Sequence, residues 1–371
     1  MKYYVIAGEP SGDLHAANLI HALKQRDDNA EFRAWGGDKM MAAGATIVKH
    51  IRDLAFMGFV EVVANLRTIS RNLKLCKDDL AEYQPDVLIL VDYPGFNLRI
   101  AEYAKKHDLR VFYYISPQVW AWKKNRVKKI RRFVDRMFVI LPFEEEFYKQ
   151  HNVPVFYGGH PVMDEVEQFR NSGDKTVIES DRDVIALLPG SRTQEIKKML
   201  PVMAELAVKY PQYVFIIAGV EHQRELYHPF LEIAENLRIV IGKTYRLLNS
   251  STAAIVTSGT ATLETALFGV PQVVCYAGSA ISISIARRLI KIPYISLVNL
   301  ILDKPAVKEL IQSQLKIENL QREFEKTLPG TDTRREIVSS YSQLRELLGG
   351  AGASERIANE MWSVLSKTNT K

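Results

Sequence analysis

The chain is 371 residues long, 47% hydrophobic and 25% charged, a composition that excludes disordered and fibrous classes and leaves room for two packed domains. Lys plus Arg outnumber Asp plus Glu by 49 to 43, a formal charge of +6 that points to an anionic partner such as a nucleotide, a phospholipid surface or a nucleic acid. The two cysteines, Cys76 and Cys275, lie far apart in apolar surroundings, so neither a disulfide framework nor a zinc site is implied and a reducing cytoplasm fits. The apolar start, Tyr3 to Ala7, is too short for a signal peptide, and no apolar run approaches the ~20 residues of a transmembrane helix. Any membrane contact is therefore expected to be peripheral.

From the start, strand-like runs alternate with helical ones: Tyr3 to Ala7, a helix from about Leu14 to Lys24, Glu31 to Trp35, then a helix through Met40. Such alternation predicts βαβ units on a parallel sheet. The first turn, Gly8-Glu9-Pro10-Ser11-Gly12-Asp13, lacks the Gly-x-Gly-x-x-Gly spacing of a dinucleotide fingerprint, so a bound NAD is disfavoured. Its small residues, Ser11 and Gly12 among them, let backbone and the carboxylates of Glu9 and Asp13 face a cleft at the strand's carboxyl end, where ligands of α/β sheets bind. The plainer alternative is that Ser11 or Asp13 caps the helix. Met57 to Val62 leads into a helix through Leu66, and Asp86 to Val91 is apolar enough for a strand buried on both faces. Asp92 follows it, a carboxylate at the end of a central strand and held by the Pro94-Gly95 turn; the alternative is a turn aspartate without chemistry.

Val111 to Ile115 is another strand and opens onto Ser116-Pro117 and Trp120-Ala121-Trp122. The next helix, from Lys123 to Arg136, interleaves eight basic residues with Val127, Ile130 and Phe133, giving one cationic and one apolar face. Trp120, Trp122, Lys124, Lys128 and Arg131 are thus candidates for docking on an anionic membrane surface, against the alternative of a solvated helix lying on the sheet. No nucleic-acid recognition motif accompanies the charge, and no nucleic-acid partner is expected. After Gly159-His160-Pro161 the sequence turns polar and loses periodicity, which places an interdomain linker at Met163 to Arg182.

A second alternation begins with the strand Val184 to Leu188, the turn Pro189-Gly190-Ser191-Arg192 and a helix carrying Glu195. Strands at 213–218, 239–241 and 253–256 follow, and the last runs into Thr257-Ser258-Gly259-Thr260 and a helix with Glu264 one turn in. Unpaired N–H groups and the positive dipole end at that helix start make an anion site, and Gly259 admits a phosphate close to the backbone. Glu264 could accept hydrogen bonds from sugar hydroxyls, so the segment suits a nucleoside diphosphate; the alternative is an ordinary Ser/Thr cap. The fold expected is α/β, two Rossmann-like domains facing a cleft, spanning residues 1–165 and 166–340. An amphipathic helical tail, 341–371, broken at Gly349-Gly350, is expected to pack back on the first domain or on a partner chain.

Taken together, the turns at Gly8 to Asp13, Met57-Gly58, Asp92 with Phe96-Asn97, Ser116-Pro117 with Trp120-Ala121-Trp122, Leu141 to Glu144, Gly159-His160-Pro161, Pro189 to Arg192 and Ser258-Gly259-Thr260 with Glu264 resemble the lipid-A-disaccharide synthase family. These are bacterial glycosyltransferases of the two-domain B-type fold. The motifs span nearly the whole chain and thin only after Asn299, where Leu302-Asp303-Lys304-Pro305 replaces the family's small Ala-Gly turn. The resemblance implies transfer of a sugar from UDP-2,3-diacylglucosamine to 2,3-diacylglucosamine 1-phosphate with release of UDP, without a metal or other cofactor. A homodimer and a place on the cytoplasmic face of the inner membrane are implied as well.

In that fold the second domain holds the donor, here through Ser191, Arg192, Glu195, Thr257 to Thr260, Glu264 and Asn299, while Glu9, Ser11, Gly12, Asp13 and Met57 fall on the acceptor side. An inverting displacement needs a base for the incoming hydroxyl; Asp92 is assigned that role, with His15 in reserve, and His160 is expected to shape a turn. Competing expectations are another UDP-sugar enzyme of the same fold, such as a UDP-N-acetylglucosamine epimerase or a cell-wall glycosyltransferase, and a non-catalytic lipid-surface binding protein. The Trp-Ala-Trp and basic-helix block speaks against a wholly soluble epimerase.

Overall fold

The computed structural model of the chain describes residues 1–54, 66–117, 119, 125–172, 177–278 and 293–367. They form two compact units, Met1–Pro161 with Gly350–Lys371, and Val162–Gly349. Unit 1 carries the strands β1 (Lys2–Ala7), β2 (Glu31–Gly36), β3 (Thr46–His50), β4 (Val87–Val91), β5 (Arg110–Tyr114), β6 (Arg136–Val139) and β7 (Val155–Tyr157). They pair in the order β3-β2-β1-β4-β5-β6-β7, every pair parallel. Unit 2 carries β8 (Val184–Leu188), β9 (Val214–Gly219), β10 (Leu237–Ile241), β11 (Ser251–Thr257), β12 (Gln272–Tyr276) and β13 (Lys308–Ile311), again all parallel, in the order β10-β9-β8-β11-β12-β13.

The apolar runs explain both sheets. Val87–Val91 and Val184–Leu188 are buried at every position, as strands covered on both faces must be. Alternate residues of β1 serve opposite cores: Tyr3, Val5 and Ala7 pack under the Pro10–Lys24 helix, while Tyr4 and Ile6 pack beneath the Leu66–Tyr83 and Pro94–Lys106 helices. Cys76 and Cys275 are both free and buried. Two strands escape the sequence pattern, β3 and β13. Both are sheet edges, where one neighbour suffices and charged residues such as Lys49, Lys308 and Glu309 are tolerated.

Three expected boundaries move. The first helix begins at Pro10 rather than near Leu14, so Pro10 to Asp13 are its first turn and not a loop before it. Much of the polar segment taken as a linker is the helix Val162–Asn171, in which Val162 and Val166 are buried and Arg170 donates to the carbonyl of Leu267 at 2.8 Å. Its apolar edge is one residue per turn wide, too thin to register against the surrounding acids. The tail is divided: the Asp332–Leu348 helix buries Tyr341, Leu344 and Leu348 within unit 2, and the chain changes unit at Gly349-Gly350. Only the Ala353–Ser366 helix lies on unit 1, where Ile357, Ala358, Met361 and Leu365 join the core above β1.

Candidate active site

Both strand orders reverse direction once, between β1 and β4 in unit 1 and between β8 and β11 in unit 2, and at such switch points the loops leaving the two strands diverge and open a crevice. In unit 1 the register pairs Ala7 with Val91, which brings the ends of β1 and β4 side by side. Gly8 is required there, because a Cβ on it would sit 2.4 Å from the ring of Tyr93. Gly12 plays a packing part: its Cβ position is 3.3 Å from Ala7 Cβ, so its lack of a side chain lets the helix lie close on the sheet.

Asp92 and Tyr93 both adopt left-handed backbone, with φ of 44° and 48°. Two such residues in succession are strained and need support. The support is Asn97, fully buried, whose Nδ2 donates to the Asp92 carbonyl at 2.7 Å and to the Val91 carbonyl at 3.2 Å. The Tyr113 hydroxyl donates to the same Asp92 carbonyl at 2.6 Å, and the Asp92 N–H donates to the Tyr114 carbonyl. The turn is thus fixed by Asn97 and Tyr113, and Pro94 and Gly95, expected to hold it, are the first residues of the next helix. Burial, and after it the negative charge of Glu9, push the Asp92 carboxyl up to about 6; the Tyr93 backbone N–H and His15 oppose the shift.

His15 is buried in the first helix and acts electrostatically on both Asp92 and His160. Burial and the neighbouring His15 drop His160 to about 3, so it is neutral near pH 7 and too weakly basic to serve as a general base there. Asp13, expected to face the cleft, is engaged by backbone of its own unit. Its oxygens accept from the N–H groups of Gly37 at 2.6 Å, Lys39 at 3.1 Å and Met40 at 3.2 Å, so this buried carboxylate caps the neighbouring Asp38–Ala42 helix. The reason is the helix start at Pro10, which turns Asp13 toward β2. Ser11 is exposed and Glu9 half-buried at the crevice. Met57 lies outside the described residues.

In unit 2 the loops after β8 and β11 carry the polar residues. Gly190 has φ +98°, and a Cβ there would meet Glu195 Oε2 at 2.4 Å. Glu195 occupies that space because its carboxylate accepts from the N–H groups of Ser191 and Arg192, both at 3.3 Å, closing a capping box on the Thr193–Lys209 helix. Glu195 and the Ser191 and Arg192 backbones, expected as donor contacts, are thereby bound to each other. The Arg192 side chain, 58% exposed and 3.3 Å from Glu195, is the cation this loop presents.

After β11, Ser258 is also committed: its hydroxyl donates to the Ile295 carbonyl at 2.8 Å and its N–H to the Cys275 carbonyl. Gly259, at φ +155°, and Thr260 are exposed at the start of the Thr260–Leu267 helix, and no atom lies within 4 Å of the Gly259 Cβ position. Thr257 Oγ1 is buried and has no hydrogen-bond partner among the described residues. Glu264 accepts from the Tyr245 hydroxyl at 2.9 Å, and the same hydroxyl lies 3.1 Å from Glu165 Oε2. Neither Tyr245 nor Glu165 was singled out by sequence; the one signal was the Gly242 turn that ends β10, three residues before Tyr245. Asn299, expected as a donor contact, has its amide engaged within its own segment, donating to the Val307 carbonyl and Glu309 and accepting from the Val307 N–H, each at 2.9 Å.

Among the described membrane candidates, Lys128 and Arg131 are exposed on the Asn125–Phe133 helix, whereas Val127, Ile130 and Phe133 are buried in the unit 1 core. The apolar face is therefore used by the sheet and cannot enter a bilayer; what remains for a surface is charge. Arg136 is not on this helix but opens β6 and pairs with Glu360 at 2.6 Å. Trp120, Trp122 and Lys124 lie outside the described residues.

Two Rossmann-type sheets, one with a half-buried carboxylate at its switch point and one with an anion-ready helix start, define the two-domain B-type class that handles nucleotide sugars. A UDP-GlcNAc 2-epimerase from Neisseria meningitidis solved with UDP-GlcNAc has the same fold, with a TM-score of 0.69 at 15% identity over 98% of this chain and all of that one. The calicheamicin glycosyltransferase does too, with a TM-score of 0.64 at 15% identity over 99% and 98%. The sequence narrows the class: the family model for lipid-A-disaccharide synthetase matches residues 3–359. The lipid-A-disaccharide synthase of Syntrophus aciditrophicus is 40% identical over 98% of both chains, and that of Myxococcus xanthus 37% over 98% of this chain and 97% of its own. The chain belongs to the lipid-A-disaccharide synthase family.

Proposed function

We propose that the chain joins UDP-2,3-diacylglucosamine to 2,3-diacylglucosamine 1-phosphate, inverting the donor's anomeric centre and releasing UDP. The observation that carries the chemistry is Asp92: a carboxylate on backbone fixed at a switch point, with its proton affinity raised to about 6, is ionised at neutral pH yet basic enough to take a proton. As the acceptor's 6-hydroxyl oxygen bonds to the anomeric carbon, its proton passes to Asp92. The bond from that carbon to the diphosphate oxygen breaks, and UDP leaves with the electron pair. Arg192 and the Gly259-Thr260 helix start in unit 2 bind the diphosphate and offset its growing charge. Glu264 accepts from the ribose hydroxyls.

The same proposal places the protein at an anionic membrane surface, held by Lys128, Arg131 and their neighbours through charge and not through an inserted apolar face; among the described residues no helix is long and apolar enough to cross a membrane. A homodimer belongs to this reading and is read by sedimentation equilibrium. The deciding experiment measures UDP release with and without the acylated acceptor. Release that requires the acceptor is expected. Donor conversion without stoichiometric UDP would make the chain an epimerase, and binding without either would make it a lipid-surface binding protein.

A further inference from the structure

The Thr260–Leu267 helix, whose amino end presents Gly259 and Thr260, is eight residues long, about 12 Å, and too short to be stable by itself. Its carboxyl end is held by two arginines. Arg170 donates to the Leu267 carbonyl at 2.8 Å, and Arg345 donates to the same oxygen at 2.5 Å. They come from opposite ends of unit 2: Arg170 from the Val162–Asn171 helix that opens it, Arg345 from the Asp332–Leu348 helix that closes it. The Arg170 guanidinium also lies 6.0 Å from the ring of Phe268, the residue that ends the short helix, and Phe268 packs edge-on against Phe169 at 5.6 Å. One cation suffices to cap a helix end. A second beside it costs stability by repulsion; burial, and after it the charge of Arg170, lowers the proton affinity of Arg345. Among the described residues neither guanidinium forms an ion pair with a carboxylate that would offset the repulsion.

We propose that Arg170 and Arg345 are positioning residues: they clamp the carboxyl end of this helix, fix where its amino end stands, and so strengthen its hold on the diphosphate of the donor. This rests on the reading of the Gly259-Thr260 helix start as the diphosphate site. The two cations mask the negative pole of the helix dipole, which leaves the positive pole at the amino end to act on an anion. An anion bound there in turn offsets the two charges gathered on one carbonyl. Both arginines act through the helix, from about 12 Å away, and not by touching the nucleotide.

The test measures the affinity of the full chain for UDP and for uridine by competition and takes their ratio, which isolates the diphosphate. Loss of a cation from a helix end predicts a ratio lowered about two- to fivefold in Arg170→Ala and in Arg345→Ala, and roughly four- to twentyfold in the double variant, through weaker UDP binding with uridine affinity kept. Replacement by Lys retains the charge without the planar fork and should restore part of the ratio. Gly259→Ala sets a Cβ into the open space at the amino end, on backbone at φ +155°, and should collapse the ratio furthest. A parental ratio in the double variant, alongside a collapsed one in Gly259→Ala, overturns the clamp and leaves the diphosphate site standing. A parental ratio in Gly259→Ala overturns that site and the inference with it. Arginines that only stabilise unit 2 would lower both affinities together, so an unchanged ratio with a lowered melting temperature also overturns the clamp. If the double variant melts below the assay temperature, the single variants, each keeping one guanidinium on the carbonyl, decide by the same comparison.

Discussion

In unit 1 the segments after β1, β4 and β7 bring Glu9, Asp92, His15 and His160 into one electrostatic neighbourhood, buried or half-buried, in which the Asp92 carboxyl is raised and the His160 imidazole lowered. In unit 2 the loops after β8 and β11 carry an exposed arginine, an open glycine and a helix start, on the same switch-point topology. The strand order makes the crevice in both; what fills its rim decides the chemistry. Low dielectric around a carboxylate makes a base, whereas exposed cations and N–H groups bind an anion without moving a proton. A carboxylate appears at the unit 2 crevice too, but Glu195 accepts from two backbone N–H groups and from the Arg192 side chain, so it organises the loop.

The largest effect that tests this division is on turnover. Asp92→Asn should lower kcat by roughly 10²–10⁴-fold, the usual worth of a positioned base, while UDP affinity measured by calorimetry stays at the parental level. In the parent, activity should fall on the acid side with an apparent pKa near 6. A variant that turns over within a few-fold of the parent would dissolve the contrast and shift the search to His15.

The same substitution should stabilise. A carboxyl raised from the ordinary 3.8 to about 6 favours the folded chain fully below the lower value, and that advantage is lost as pH rises through the upper one. Asn carries no charge to bury and tolerates left-handed backbone. Asp92→Asn is expected to gain up to about 3 kcal/mol over the parent at pH 8 and almost nothing at about pH 3, below both values, read by denaturant unfolding at the two pH values. Equal stability at both would mean that Asp92 is solvated, like the residues of unit 2.

In unit 2, Arg192→Ala should weaken UDP binding by about 1.5 kcal/mol, the low end for a charge-assisted contact because the side chain is 58% exposed, with little change in folding. Undiminished affinity would leave the diphosphate to the Gly259-Thr260 helix start. The smallest effect per residue is at the surface: reversing Lys128 and Arg131 to Glu should reduce sedimentation with anionic vesicles, at about 1 kcal/mol for each basic residue that reaches the lipid, and added salt should do the same to the parent. Binding that survives both would argue for an apolar contact elsewhere.

The sequence alone determined the central strands and their order of appearance, because fully apolar five-residue runs such as Val87–Val91 and Val184–Leu188 have no other stable home than a doubly covered sheet, whereas the edge strands β3 and β13 carry no such run. Family membership was written in the loops that immediately follow such strands. What only the tertiary structure decided was which polar groups are left for a ligand. Asp13, Glu195, Ser258 and Asn299 all carry the right chemistry, yet each is engaged by backbone groups of its own unit: Asp13 by Gly37 to Met40, Ser258 by Ile295, Asn299 by Val307, and Glu195 by the neighbouring Ser191 and Arg192. Conversely, Tyr245 and Glu165 carry no motif, and only folding sets them against Glu264. The physical reason is that burial obliges every backbone N–H and carbonyl to find a partner. A side chain's availability therefore depends on which backbone ends reach it first, and for Asp13 and Ser258 residues 24 and 37 positions away settle that.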